Sequence, residues 1–216
     1  MAKEEIEEHA YRSIIRMILD NQLKPGDILL ETELANKLQV SRTPVRQALG
    51  RLVAQGFLDK KKKKGCMIPV PDAKDAKQVF LARETIEGQA AAYAALNATE
   101  ADIEELNSIQ TEQDIAFRAN DKENYSLLNE KFHLGIARMS ANKYLERYCQ
   151  HIFWRSNSYI FFFDQYYRPK PMDDKMHQTP EEHKNIISAI SKGDAELAKK
   201  YMTEHIRHTF TVLFKP

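Results

Sequence analysis

Three guanidinium groups, Arg42, Arg46 and Arg51, fall within the run SRTPVRQALGRLVAQGFL, Ser41 to Leu58. Val45, Leu49, Leu52 and Val53 recur at helical spacing and make an inner face, which leaves the arginines outside it, Arg42 and Arg46 one turn apart. Guanidinium groups at the front of a helix can form paired bonds to guanine O6 and N7, whereas hydroxyls and lysines mostly grip phosphates. Arg42 and Arg46 are therefore candidates for base readout, and Ser41, Thr43 and Arg51 for positioning on the backbone. Between Asn36 and Gly65 nine basic residues face a single acid, Asp59. Residues 1–70 carry 13 Lys+Arg against 9 Asp+Glu, or +4, and the remainder 19 against 22, or −3, so a chain of net charge +1 hides a basic end able to attract a polyanion. On charge alone, a solvated basic face fits equally well.

A second chemistry is possible further on. Asn129 and His133 are spaced i, i+4 and share a helix face, while His183 and His205 come from two other predicted helices. Three converging imidazoles would suit a divalent transition metal such as zinc or nickel; taken singly, each histidine is better explained by a surface or hydrogen-bonded role. Asn129 can coordinate through a neutral carbonyl oxygen, giving a more positive site that favours an anion. Three histidines with an open position also describe catalytic zinc, but no general base of the HExxH kind accompanies them. His9, His151 and His177 match no motif, and His208, one turn beyond His205, is assigned to the surface with an outer-shell role as the alternative.

These groups need elements to hold them. Ile6, Ala10, Ile14, Met17 and Ile18 mark a first helix, closed by LKPGD. ETELANKLQV makes a short helix, and Ser41 is placed to cap the next one, with Pro44 in its first turn and Gly56 at its end. GFLDKKKKKGCMIPV then reads as two strands, Phe57–Lys60 and Cys66–Val70, around a turn at Gly65. Beyond Val70 the pattern is helical throughout: roughly 76–97, 99–120, 121–140, 142–166, 180–192 and 194–214, with RPKPMDDKMHQTP as the one long loop. The fold expected is mainly α: an N-terminal winged helix-turn-helix with a small β-hairpin wing over residues 1–71, then an all-α antiparallel helical bundle over 72–216. The aromatic run from Phe153 to Tyr167 covers too much of its helix for one core stripe, which suggests core plus dimer interface, or a pocket wall.

Cys66 and Cys149 lie far apart without a CxxC pattern, and the most apolar run is interrupted by Arg155 and Asn157. The expectation is a cytoplasmic protein with no disulfide framework, no thiolate zinc and no membrane span.

The segment LKPGDILLETELANKLQVSRTPVRQALGRLVAQGFL, followed by the basic hairpin with Gly65, resembles the DNA-binding domain of GntR-family bacterial transcription regulators. The helical remainder resembles the FCD ligand-binding domain of the FadR subfamily. Its cues are Arg83 to Glu87 in ARETIEGQAAAYAA, Phe132-His133 with Asn142 after it, His183 in EEHKNIISAISKGD and His205 in AKKYMTEHI. The resemblance implies a contribution to DNA binding from Glu31, and a wing carrying Lys62, Lys63 and Lys64 whose tip at Gly65 enters the minor groove. It also implies metal ligands at Asn129, His133, His183 and His205, where metal-binding members usually have an aspartate at the position of Asn129. Arg83 is implied to pair with the carboxylate of a small organic acid effector. One winged module covers few base pairs, so the expected working form is a homodimer on a palindromic double-stranded operator. The function expected is ligand-responsive regulation, with repression as the expected sign, transmitted across residues 70–75; the alternatives are sensing of a metal ion alone, a scaffold that responds to no ligand, and a metal-dependent enzyme.

Overall fold

The computed structural model describes residues 3–20, 22–61, 65–70, 72–119, 121–167 and 179–214, without the side chains of Lys3, Lys122, residues 161–167, Thr179 and Phe214. The lysines at 62–64 and the loop at 168–178 lie outside the described residues. Helix α1 (Lys3–Leu19) buries Ala10, Tyr11, Ile14, Ile15, Met17 and Ile18. These side chains recur every three or four positions, so they form one stripe, and that stripe packs on α3 (Arg42–Ala54). Between them α2 (Glu31–Leu38) ends at Gln39, whose left-handed φ of 54° turns the chain within two residues into Ser41, the N-cap of α3. Two short helices set at a tight turn result.

Helix α3 stops at Gly56, with φ +81°. The Phe57 and Leu58 amides return to the Leu52 carbonyl at 2.9 and 3.2 Å, so these two residues close the helix and plug the core instead of starting a strand. The wing is accordingly shorter than its sequence suggests, and it gains a third strand that the sequence pattern does not announce. β1 (Ile28–Leu29), β2 (Asp59–Lys61) and β3 (Gly65–Met67) form an antiparallel sheet in the order β1-β3-β2. Gly65 has φ +88°, and a Cβ there would sit 2.8 Å from the Leu29 carbonyl oxygen, so glycine is required where the wing crosses β1.

Asp72 accepts from the Lys74 amide and opens α4 (Ala73–Asn97) three residues earlier than periodicity suggests. Then follow α5 (Glu100–Arg118), α6 (Lys122–Met139), α7 (Lys143–Tyr167), α8 (Thr179–Ser191) and α9 (Ala195–Phe214). A Thr99–Asp102 capping box starts α5, and Asp121 caps α6. Helix α4 touches α6, α7, α8 and α9. Its buried Ala90, Ala91, Ala92, Ala94 and Ala95 explain how one helix can approach several neighbours, since methyl side chains hold axes close without demanding space. No described helix is long and apolar enough to cross a membrane. The two cysteines are free, Cys149 buried beside Ala90 and Ala137.

The two regions share a core. Trp154 of α7 joins the cluster formed by α1, α3 and the wing, meeting Phe57 edge-on at 5.5 Å and Tyr11 at 6.4 Å. Arg16 of α1 forms a two-pronged bond with Glu123 of α6, and Arg155 bridges Asp59 of the wing to Asp75 of α4. The expected cost of Trp154→Ala is about 3–5 kcal/mol of unfolding free energy, measured by urea titration with circular dichroism; a change under about 1 kcal/mol would show that the indole does not hold the regions together.

Candidate functional sites: a basic helix face and a buried histidine cluster

Ser41, Arg42, Thr43 and Arg46 are all exposed at the front of α3, because Pro44, Val45, Ala48 and Leu49 take up the buried side of the same turns. The Arg42 side chain is 67% exposed and lies 3.2 Å from the Glu31 carboxylate at the start of α2. That ion pair is weak in solvent but orients the guanidinium away from its own helix. Leu30, Glu31, Thr32, Arg42 and Gly65 line one shallow depression, so α2, the front of α3 and the wing meet on a single face. Arg51 is not part of it. Its guanidinium stacks 3.9 Å over the Tyr11 ring and bonds Glu8 at 2.7 Å, tying α3 to α1. The Tyr11 hydroxyl donates to Gln55 at the end of α3.

In the bundle, His133 of α6, His183 of α8 and His205 of α9 are each at most 4% exposed, and one potential ligand atom from each lies within 4.8 Å of the others. Every ring has its Nδ1 engaged. His133 Nδ1 is 2.6 Å from Glu87 Oε2, His183 Nδ1 is 2.9 Å from Gln113 Oε1, and His205 Nδ1 is 2.8 Å from Glu182 Oε2. Ionised carboxylates only accept, so His133 and His205 donate Nδ1–H to them, and His133, kept neutral by burial, retains its Nε2 lone pair for another partner. His183 Nε2 is buried and has no hydrogen-bond partner among the described residues, so it is open to one. Outer acceptors that fix the tautomer in this way are the usual support of metal-bound histidines, so the residues present fit a divalent ion.

Burial lowers the His133 pKa to about 4, against the pull of the adjacent Glu87, and places that of His183 well below its ordinary value, with His205 and His133 adding to the effect. Burial also opposes ionisation of Glu87, but Arg83 and His133 hold its carboxyl at about 2. Arg83, 2% exposed, bonds Glu87 through Nε at 2.5 Å and through Nη2 at 3.3 Å. Asn129, half-buried one turn before His133, takes the Gln113 Nε2 on its Oδ1 at 3.3 Å.

Three residues to which the sequence reading assigned no role at the site thus complete the cluster. Glu87 had a signal, its i+4 spacing from Arg83; Glu182 stands next to His183 in sequence yet serves His205; nothing local marks Gln113. His208 shares Glu182 with His205, its Nδ1 2.6 Å from Oε1, and is partly exposed. Phe153 links this cluster to the basic end, its ring 5.3 Å from both the His133 ring and the Arg83 guanidinium and 6.1 Å from Trp154.

Comparison with known proteins follows the same division. Residues 6–68 match the family described as bacterial regulatory proteins, gntR family, and residues 78–208 match the FCD domain. The Uxu operon regulator of Haemophilus influenzae is 30% identical over 203 residues, covering 88% of this chain and 75% of that protein. The transcriptional regulator LutR of Bacillus subtilis is 28% identical over 226 residues, covering 91% and 96%. Among solved structures, Escherichia coli McbR/YncC superposes with a TM-score of 0.78 at 23% identity, over 97% of this chain and 95% of that one, and shares its fold.

A histidine kept neutral by burial stabilises the fold fully above its unfolded pKa, and the contribution is lost as pH falls through the folded one. For His133 that window runs from about 6.5 down to about 4. The metal-free chain is expected to lose thermal stability steadily across it in a scanning-calorimetry pH series, and His133→Gln is expected to flatten the slope.

Proposed function

Since the chain belongs to the GntR family of bacterial regulatory proteins, with an FCD domain as its C-terminal part, and is a DNA-binding transcription regulator and not an enzyme, we propose that it is a cytoplasmic repressor. It binds a palindromic operator as a homodimer, through a unit of residues 1–71, and is controlled from a metal-assisted effector site in residues 72–216. Arg42 and Arg46 read guanine edges. Ser41, Thr43 and Glu31 set the register of α3 on the backbone, and the wing, with Lys62, Lys63, Lys64 and Gly65, lies along the adjoining groove. Arg51 is assigned to the α1–α3 contact in place of a phosphate, because Glu8 and Tyr11 already hold it.

The observation that carries the sensing half is the convergence of three imidazoles from three helices, each with its Nδ1 occupied. His133, His183 and His205 would hold zinc or nickel, with Asn129 beside them. When bound, the ion supplies open coordination positions for a small organic carboxylate. Arg83, joined to the cluster through Glu87 and His133, is the cation assigned to such an anion, and it is engaged by Glu87. A carboxylate that reaches Arg83 takes it from Glu87, loosening the bond between α4 and α6 at His133. Phe153, in contact with both Arg83 and His133, passes the change to Trp154 in the core of the DNA-binding end. A change of this kind alters operator affinity to the extent that the effector prefers one arrangement.

A second reading, a sensor of the metal ion alone, is favoured by the same Arg83–Glu87 pair, since a buried arginine with a carboxylate already on it needs no second anion. Freshly purified protein analysed for metals, then titrated with small carboxylates with and without added zinc or nickel while operator binding is followed, separates the two. The first expects a carboxylate response that requires metal and disappears in His133→Ala. The second expects a response to metal that no carboxylate changes, and a stoichiometric metal content of zero with an unaltered His133→Ala response sinks both.

At the DNA-binding end, Arg42→Ala and Arg46→Ala are each expected to lose about 1–3 kcal/mol of discrimination between operator and scrambled DNA. Substitution of the wing lysines is expected to weaken binding to all sequences and to lower the salt slope by about one for each phosphate left without its lysine. Electrophoretic shift at several salt concentrations reads both, and retained operator preference in the two arginine variants would overturn the assignment.

A further inference from the structure

Gln113 on α5 is 1% exposed and joins two residues of the cluster, its Oε1 2.9 Å from His183 Nδ1 and its Nε2 3.3 Å from Asn129 Oδ1. We infer that Gln113 and Asn129 form a two-amide relay that decides whether His183 presents a lone pair or a proton to the space between the three histidines. The inference rests on the metal reading above, and makes Gln113 a positioning residue for one ligand.

A primary amide carries its acceptor oxygen and donor nitrogen in one plane, on either side of the bond that attaches it, so what Gln113 offers His183 is the complement of what it offers Asn129. When Nε2 donates to Asn129 Oδ1, Oε1 faces His183, accepts its Nδ1–H and leaves the Nε2 lone pair inward. Turned over, Gln113 Nε2 donates to His183 Nδ1 and Oε1 accepts from Asn129 Nδ2. The single ring proton of His183 then sits on Nε2, where it repels a cation. An aspartate at 129 can only accept and would permit just the first arrangement, whereas asparagine accepts or donates and permits both. The other two histidines have no such freedom, because Glu87 and Glu182 accept in every ionised state. The unpartnered, fully buried His183 Nε2 independently marks this ring as the one whose inner nitrogen awaits a partner.

Two measurements on the full chain test the relay. Long-range proton–nitrogen correlation spectra of the metal-free protein report the His183 tautomer, assigned by loss of its signals in His183→Gln. Visible absorption on titration with Co²⁺ reports affinity. Gln113→Glu, an acceptor toward His183 whatever Asn129 does, is expected to hold the Nδ1–H tautomer and bind Co²⁺ at least as tightly as the wild type. Asn129→Asp is expected to do the same. Gln113→Met, with no acceptor, is expected to release the tautomer and weaken Co²⁺ binding about tenfold or more. Rescue by glutamate but not methionine distinguishes positioning from packing. Identical His183 nitrogen shifts and equal Co²⁺ affinities across these variants overturn the relay alone; no Co²⁺ spectrum in either the wild type or Gln113→Glu overturns the metal reading itself.

Discussion

Three imidazoles can lie side by side inside a helical bundle only if each N–H has an acceptor. Water cannot supply those acceptors at 4% exposure or less, so the protein does, from α4 through Glu87, from α5 through Gln113 and from α8 through Glu182. Each acceptor creates a further demand. Ionised Glu87 is buried, and Arg83 one turn away on α4 answers its charge; removing one partner of such a pair typically costs about 3–5 kcal/mol. Glu182 is held between His205 and His208. The helices of the bundle are thereby fixed in register relative to one another by polar contacts that tolerate little sliding.

Packing makes that register reachable. Helix α4 presents alanines to several neighbours at once, so its axis lies close to those of α6, α7 and α9 and its two buried charged residues, Arg83 and Glu87, can meet side chains from other helices. Helix α7 carries the consequences outward. Phe153 faces the cluster, Trp154 the DNA-binding end, and Arg155 bonds an aspartate on each side of the junction. Three successive residues of one helix therefore touch the histidine cluster, the neighbouring core and the connection between them. Rearrangement at Arg83, Glu87 and His133 has a packed route to α1 and the wing that does not depend on the connecting chain near residues 70–75.

At the DNA-binding end the division of labour among arginines follows from what lies beside each. Arg42 keeps its guanidinium in solvent with Glu31 alongside, whereas Arg51 holds α1 to α3. The same residue type on the same helix thus sits in two settings, one largely in solvent and one, partly exposed, held against α1.

Much of this was legible in the amino-acid sequence because it is local. Apolar spacing placed the helices, Ser41 and Gly56 bounded the reading helix, and the i, i+4 relation of Asn129 and His133 put both on one face, since helical geometry converts sequence spacing directly into direction. The short β1 strand, the closing turn at Phe57 and Leu58, the capture of Arg51 by Glu8, and the service of Gln113 to His183 were not legible. Each depends on residues dozens of positions apart or on a competition between two bonding partners, and such outcomes are decided only when distant segments pack and water leaves.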